Sequence, residues 1–114
     1  MLSIDALNGS GANTAEGLAR CMNNEAFYLK VVGMALEDKN FDALKAAAAA
    51  DDARAAFEAV HALKGATGNV ALTPIYGPVC ELTELLRGRS GPMPDGCDAL
   101  LDEIMNQWER ARAL

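Results

Sequence analysis

Apolar residues recur along most of the chain at spacings of three and four, the period of a helix with one buried face. In residues 25–38, Phe27, Val31, Met34 and Ala35 fall at i, i+4, i+7 and i+8, and Tyr28, Val32 and Leu36 widen the stripe. Asn23-Asn24 stops one helix and caps this one, and Gly33 inside it suits a close helix–helix contact. Asn40 caps a third segment, residues 41–50, whose alanine run reads as helix because alanine has the highest helix propensity. Asp51-Asp52 then offers a break and a new cap for a helix reaching about Val70.

Thr73 as N-cap and Pro74 at the first helical position open a helix over residues 74–87. Its apolar face is Ile75, Val79, Leu82, Leu85 and Leu86, despite Gly77-Pro78 in the first turns. Gly88 is placed to end it, and residues 89–96 are the one clear loop. A last helix, residues 95–113, buries Leu100, Leu101, Ile104, Met105 and Trp108 and carries Arg110 and Arg112 at its negative end. Upstream, Leu2, Ile4 and Leu7 make a short apolar patch within residues 1–13, which either crosses the end of the bundle or frays. Thr14 caps a brief helix over residues 15–21, with Glu16 near its positive end. No stretch carries a strand signal. The expectation is an all-α chain: one domain over residues 1–114, an antiparallel four-helix bundle with one or two short extra N-terminal helices.

Composition narrows the partners. The apolar half of the chain is rich in alanine and poor in aromatics, which favours closely packed helices. A formal charge of −6 leaves no basic stripe to neutralise phosphates, so nucleic acid is not an expected partner. No apolar run approaches the ~20 residues of a membrane span, and the start lacks a basic segment leading into an apolar core. Cytoplasm is the expected location, with no membrane partner. Cys21, Cys80 and Cys97 are too few and too irregularly spaced for a disulfide framework or a zinc site, and read as thiols in a reducing compartment.

The candidate chemistry sits in residues 57–70, which hold the only histidine. At about 100° per residue, His61, Lys64, Gly65 and Gly68 share one side of a helix, while Ala59, Leu63, Ala66 and Val70 form the core stripe. Each glycine inside a helix costs roughly 1 kcal/mol against alanine. A missing Cβ beside the ring is useful where another body must approach it. An imidazole, a cation one turn on and a cleared surface suit an anionic group, with phosphoryl the leading candidate. Gly65 reads as steric clearance; Gly68, near the helix end, is balanced between clearance and packing. Phe57, one turn before His61, is either half-core or an exposed apolar anchor for a docking partner. We assign Gly65, Gly68 and Phe57 to partner contact. With one histidine, a catalytic triad or a His-rich metal site has too few members, and Glu81, Glu84, Asp98, Asp102 and Glu103 read as solvated helix faces.

The run His61-Ala62-Leu63-Lys64-Gly65-Ala66-Thr67-Gly68-Asn69-Val70-Ala71 resembles the signature of histidine-containing phosphotransfer (HPt) domains. That signature reads roughly His, any residue, Leu or Ile, Lys, Gly, any residue, Ala or Ser, two residues, an aliphatic, Gly. The departures are Thr67, where a smaller residue is usual, and Ala71 in place of the last glycine; both are read as matters of packing. The stretch Gly17-Leu18-Ala19-Arg20, with Asn24-Glu25-Ala26-Phe27-Tyr28, is similar to the family's lead-in to its bundle.

The resemblance implies a phosphorelay intermediate, a phosphocarrier rather than an enzyme. His61 would take a phosphoryl group from a receiver-domain aspartyl phosphate and pass it to another response-regulator receiver, with Lys64 offsetting the phosphoryl charge. The implied partners are receiver domains or a hybrid histidine kinase. Mg²⁺ is expected on the receiver; this chain needs no cofactor or metal, and a monomer is expected. Sensor-kinase phosphoacceptor helices usually place an acidic residue after the histidine, where Ala62 stands here, and there is no ATP lid or P-loop. The competing expectation is a helical adaptor that binds receivers or kinases without ever carrying phosphate.

Overall fold

In the computed structural model, which describes residues 2–114, seven helices follow one another: α1 (Ile4–Ser10), α2 (Thr14–Arg20), α3 (Glu25–Leu36), α4 (Asn40–Ala49), α5 (Ala53–Asn69), α6 (Thr73–Leu86) and α7 (Cys97–Arg112). Met1, at the edge of the expected N-terminal segment, lies outside the described residues. No strand occurs among the described residues, and the expected all-α bundle is what forms. Helix α5 packs between α4 and α6, and α6 packs on α7. The ring closes where Trp108 of α7 stacks on Phe41 of α4, centroids 4.5 Å apart, and donates its indole N–H to the Leu36 carbonyl at 2.8 Å. One tryptophan thus ties the last helix to the α3–α4 junction through an aromatic face and a satisfied polar edge.

The α4–α5 break falls at Asp51, as expected. Asp51 adopts a left-handed φ of 54°, and the next amide, Asp52, bonds the Ala47 carbonyl at 2.9 Å. That is a Schellman ending. Asp52 then caps α5 by accepting the Ala55 amide, while the Asp51 carboxylate accepts the Met93 amide at 2.8 Å and pins the α6–α7 loop. Gly88 is left-handed after α6, also as expected, and that helix runs through Pro78.

Several local expectations are corrected. The stripe of α3 that meets the core is Tyr28, Val32, Ala35 and Leu36; Phe27 and Met34 are half or more exposed. Gly33 makes no close helix contact, and only Leu2 comes within 4.0 Å of where its Cβ would be. Asn13, not Thr14, caps α2, and Thr14 is buried as its first residue. Asp38 serves α4 by accepting the Asn40 amide at 2.8 Å. Leu72 precedes α6 where Thr73 was expected to cap, and Thr73 is the first helical residue. In α7 the core positions are Cys97, Ile104, Trp108 and Ala111, with Leu100, Leu101 and Met105 only half-buried.

The leading helices lie across the end of the bundle where α5 turns into α6. Leu7 is fully buried, and the Asn13 amide donates to the Ala71 carbonyl at 3.0 Å. Tyr28 is buried and its hydroxyl donates to the Val70 carbonyl at 2.9 Å. Burial pushes that phenol up, with Cys21 beside it a smaller cause, so it remains the donor this bond requires. Gly17 admits the ring: a Cβ there would lie 2.6 Å from the Tyr28 hydroxyl.

Candidate functional site

Helix α5 is amphipathic. Ala53, Ala56, Ala59, Val60, Leu63 and Thr67 are buried. Thr67 rather than Ala66 completes that stripe, and its hydroxyl donates to the Leu63 carbonyl at 2.8 Å, so burying it leaves no polar group unpaired. With this face fixed in the core, the outward face is fixed too. His61 stands exposed midway along it, far from the helix ends where caps and turns would crowd it. Lys64, half-buried, follows one turn later.

The two glycines differ. A Cβ at Gly65 would meet nothing within 4 Å, so the helix backbone there is bare to solvent. A Cβ at Gly68 would come 2.8 Å from the Tyr76 ring of α6. Gly68, balanced in the sequence between clearance and packing, therefore makes room for a neighbour within the chain rather than for a partner, and open clearance belongs to Gly65 alone. Phe57 is also reassigned. It is half-buried against the core, its ring lies parallel to the His61 imidazole (5.5 Å between centroids, 8° between planes), and the Arg87 guanidinium covers it at 5.6 Å. It is a platform beside the imidazole rather than a free anchor.

Helix α6 runs alongside with Tyr76, Cys80, Glu84 and Arg87 on the side facing α5's outward stripe. Tyr76 lies over Gly68, Glu84 feels the charge of Lys64, and Arg87 sits over Phe57. Glu84 and Arg87 form a two-pronged pair, with Nε and Nη2 donating to the carboxylate at 3.1 and 2.9 Å. Those hydrogen bonds and the Arg87 charge hold the Glu84 carboxyl below its usual range, with Lys64 a lesser contributor.

On the other flank α2 raises a wall. A cleft of about 600 Å³ is lined by His61, Lys64, Gly65, Gly68 and Tyr76 together with Glu16 and Arg20, which are paired at 2.9 Å. Sequence reasoning placed Arg20 in the lead-in but not at the site, and it missed Glu16 and Tyr76 as residues sharing the cleft with His61. No local spacing links α2 or α6 to α5; only the tertiary fold does. The cleft thus offers an exposed imidazole, two cations against one carboxylate, and bare backbone, an arrangement suited to receiving an anion on nitrogen. Among the described residues no three His, Cys, Asp or Glu side chains converge to hold a metal, and no helix is long and apolar enough to cross a membrane. Cys21 and Cys97 are buried and Cys80 half-buried, all as free thiols.

Comparison with known proteins agrees with the geometry. The family model described as "Hpt domain" matches residues 34–113, from the end of α3 to the end of α7, and includes the whole of α5. Neither the curated proteins nor the solved structures give a match.

Proposed function

The chain belongs to the Hpt-domain family, whose members carry phosphoryl groups in two-component signalling, and from that premise we propose that His61 is the residue that accepts and returns the group. The observation that carries this reading is the exposed imidazole beside Lys64, on a helix face that Gly65 leaves bare. A neutral ring nitrogen attacks the phosphorus of an aspartyl phosphate on a receiver domain in line with the bond to be broken. The N–P bond forms as the P–O bond to the aspartate breaks, and the carboxylate leaves with the electron pair. The ring takes up a positive charge, which loss of its remaining N–H proton to solvent discharges. The reverse step hands the group to a second receiver.

This chain's residues position and screen. The parallel Phe57 ring limits the imidazole's rotation, Lys64 offsets charge on the phosphoryl oxygens, and Gly65 lets the receiver's loops come within bonding distance. Mg²⁺ and the acidic pocket that holds it are assigned to the receiver. ATP is not the donor: Ala62 stands where an autokinase helix needs a carboxylate.

The test is a panel of phosphorylated receiver domains mixed with the purified chain. Acid-labile label on His61, and none from ATP alone, is the expected result. Lys64→Ala slows that transfer about tenfold, the worth of one partly exposed charge-assisted hydrogen bond, without abolishing it. Receivers that bind the chain yet never label it would sink this reading in favour of a phosphate-free adaptor.

A further inference from the structure

Two groups of charges flank the imidazole: Lys64, Arg20 and Glu16 line the cleft with it, and the Glu84–Arg87 pair lies beyond Phe57, the ring parallel to it. Lys64 is on α5 itself, Glu84 and Arg87 come from α6, and Arg20 and Glu16 come from α2. Both carboxylates are engaged by arginines of their own helices, at 2.9 Å in each case. Glu84 is the one whose carboxyl also feels the Lys64 charge, and its Arg87 is the guanidinium lying over Phe57, the ring parallel to His61. A chain of contacts runs from His61 through Phe57 and Arg87 to Glu84, while Lys64 lines the cleft beside His61.

A phosphoryl dianion entering the cleft meets cations already shared with a carboxylate. Resting on the reading of His61 as acceptor, we propose that Glu84 is the counter-charge of the loaded state. It holds Arg87 and feels the Lys64 charge while His61 is bare, and it opposes the dianion once His61 carries it. The acceptor's grip is thereby loosened, so the group can be passed on rather than stored. Glu84 acts through charge and through the two cations; it touches no reacting atom and is a positioning residue. All the groups are near solvent, so the effect is moderate and sensitive to salt. One unit charge facing a dianion across roughly 10 Å of water-like medium changes an equilibrium about fourfold.

The experiment needs no receiver, which separates it from the test of the relay itself. Potassium phosphoramidate loads the single histidine, and ³¹P NMR follows the titration of the bound phosphoryl from monoanion to dianion. A nearby carboxylate raises that midpoint. The titration changes the phosphoryl by one charge, half of the dianion's interaction, so Glu84→Gln is expected to lower it by about 0.3 pH unit, the equivalent of twofold. Glu84→Asp, which keeps the charge, restores most of the wild-type value. Asp102→Asn, an equal charge change on exposed α7, leaves it in place. In about 1 M salt, where the Debye length is ~3 Å, the difference between Glu84→Gln and wild type collapses. A Glu84→Gln midpoint equal to wild type at low salt overturns the proposal, as does an equal shift from Asp102→Asn.

Discussion

Gly65 and Gly68 stand one turn apart on the same outward face of α5, yet the fold uses them in opposite ways. Around Gly65 the helix is open, and of the neighbours that matter His61 is exposed and Lys64 half-buried. Around Gly68 the helix is closed: Tyr76 lies on the missing Cβ, Thr67 and Val70 are buried, and the Tyr28 hydroxyl reaches the Val70 carbonyl. One helix is thus divided into a middle where side chains are free to do chemistry and an end where they hold the fold. Identical residues in a helix do not carry identical roles; what lies within 4 Å decides.

The largest effects should separate chemistry from stability outright. His61→Gln is expected to remove all acid-labile label while shifting the melting temperature by no more than about 2 °C, because an exposed ring adds little to packing. Leu63→Ala, two residues on but fully buried, should cost about 2–5 kcal/mol and still accept label in its folded fraction. If His61→Gln collapses the fold, the division is wrong.

A finer cut lies between the glycines themselves. Gly65→Ala should stabilise by about 1 kcal/mol through helix propensity, while slowing transfer from a receiver that must approach closely. Gly68→Ala gains the same propensity but must displace the Tyr76 ring, and should end at least about 1 kcal/mol less stable than Gly65→Ala. Equal melting temperatures for the two would erase the distinction.

The smallest effect is expected at the end of α5. Ala71 holds a left-handed φ of 56° at the residue after the cap, where its amide bonds the Gly68 carbonyl and the next amide bonds the Thr67 carbonyl. This is the position of a Schellman ending that favours glycine. The family signature's last glycine is therefore explained by backbone conformation rather than helix packing. Ala71→Gly should raise stability by about 0.5–1 kcal/mol, read by denaturant unfolding, with no change in labelling.

Much of this was legible in the sequence because it is local. The stripe on α5, the break at Asp51 and the end at Gly88 follow from spacings of a few residues and from residue types with strong backbone preferences. The correct face of α3 was not legible. Phe27 with Met34 and Tyr28 with Val32 are equally apolar stripes, and the choice is made by a carbonyl at Val70 and a gap at Gly17, both distant in sequence. At the site, helical arithmetic put His61 and Lys64 on one face, while Glu16, Arg20 and Tyr76 were not placed there, since each reaches the cleft from another helix. The caps of α2 and α4 were missed by one or two residues, because adjacent polar side chains compete for the same amides, and α6 starts after Leu72 with no side-chain cap at all.

Successive carbonyls in the turn after α5, those of Val70 and Ala71, take one hydrogen bond each from the leading part of the chain, from Tyr28 and Asn13. The same turn sets where α6 begins, and so where Tyr76 lies. Both flanks of the cleft therefore hang from one short fulcrum at the exit of α5. Pulling the leading helices away would leave the imidazole on its helix but strip Arg20 from its surroundings and unseat the turn that aligns α6, turning a walled groove into a flat helix surface.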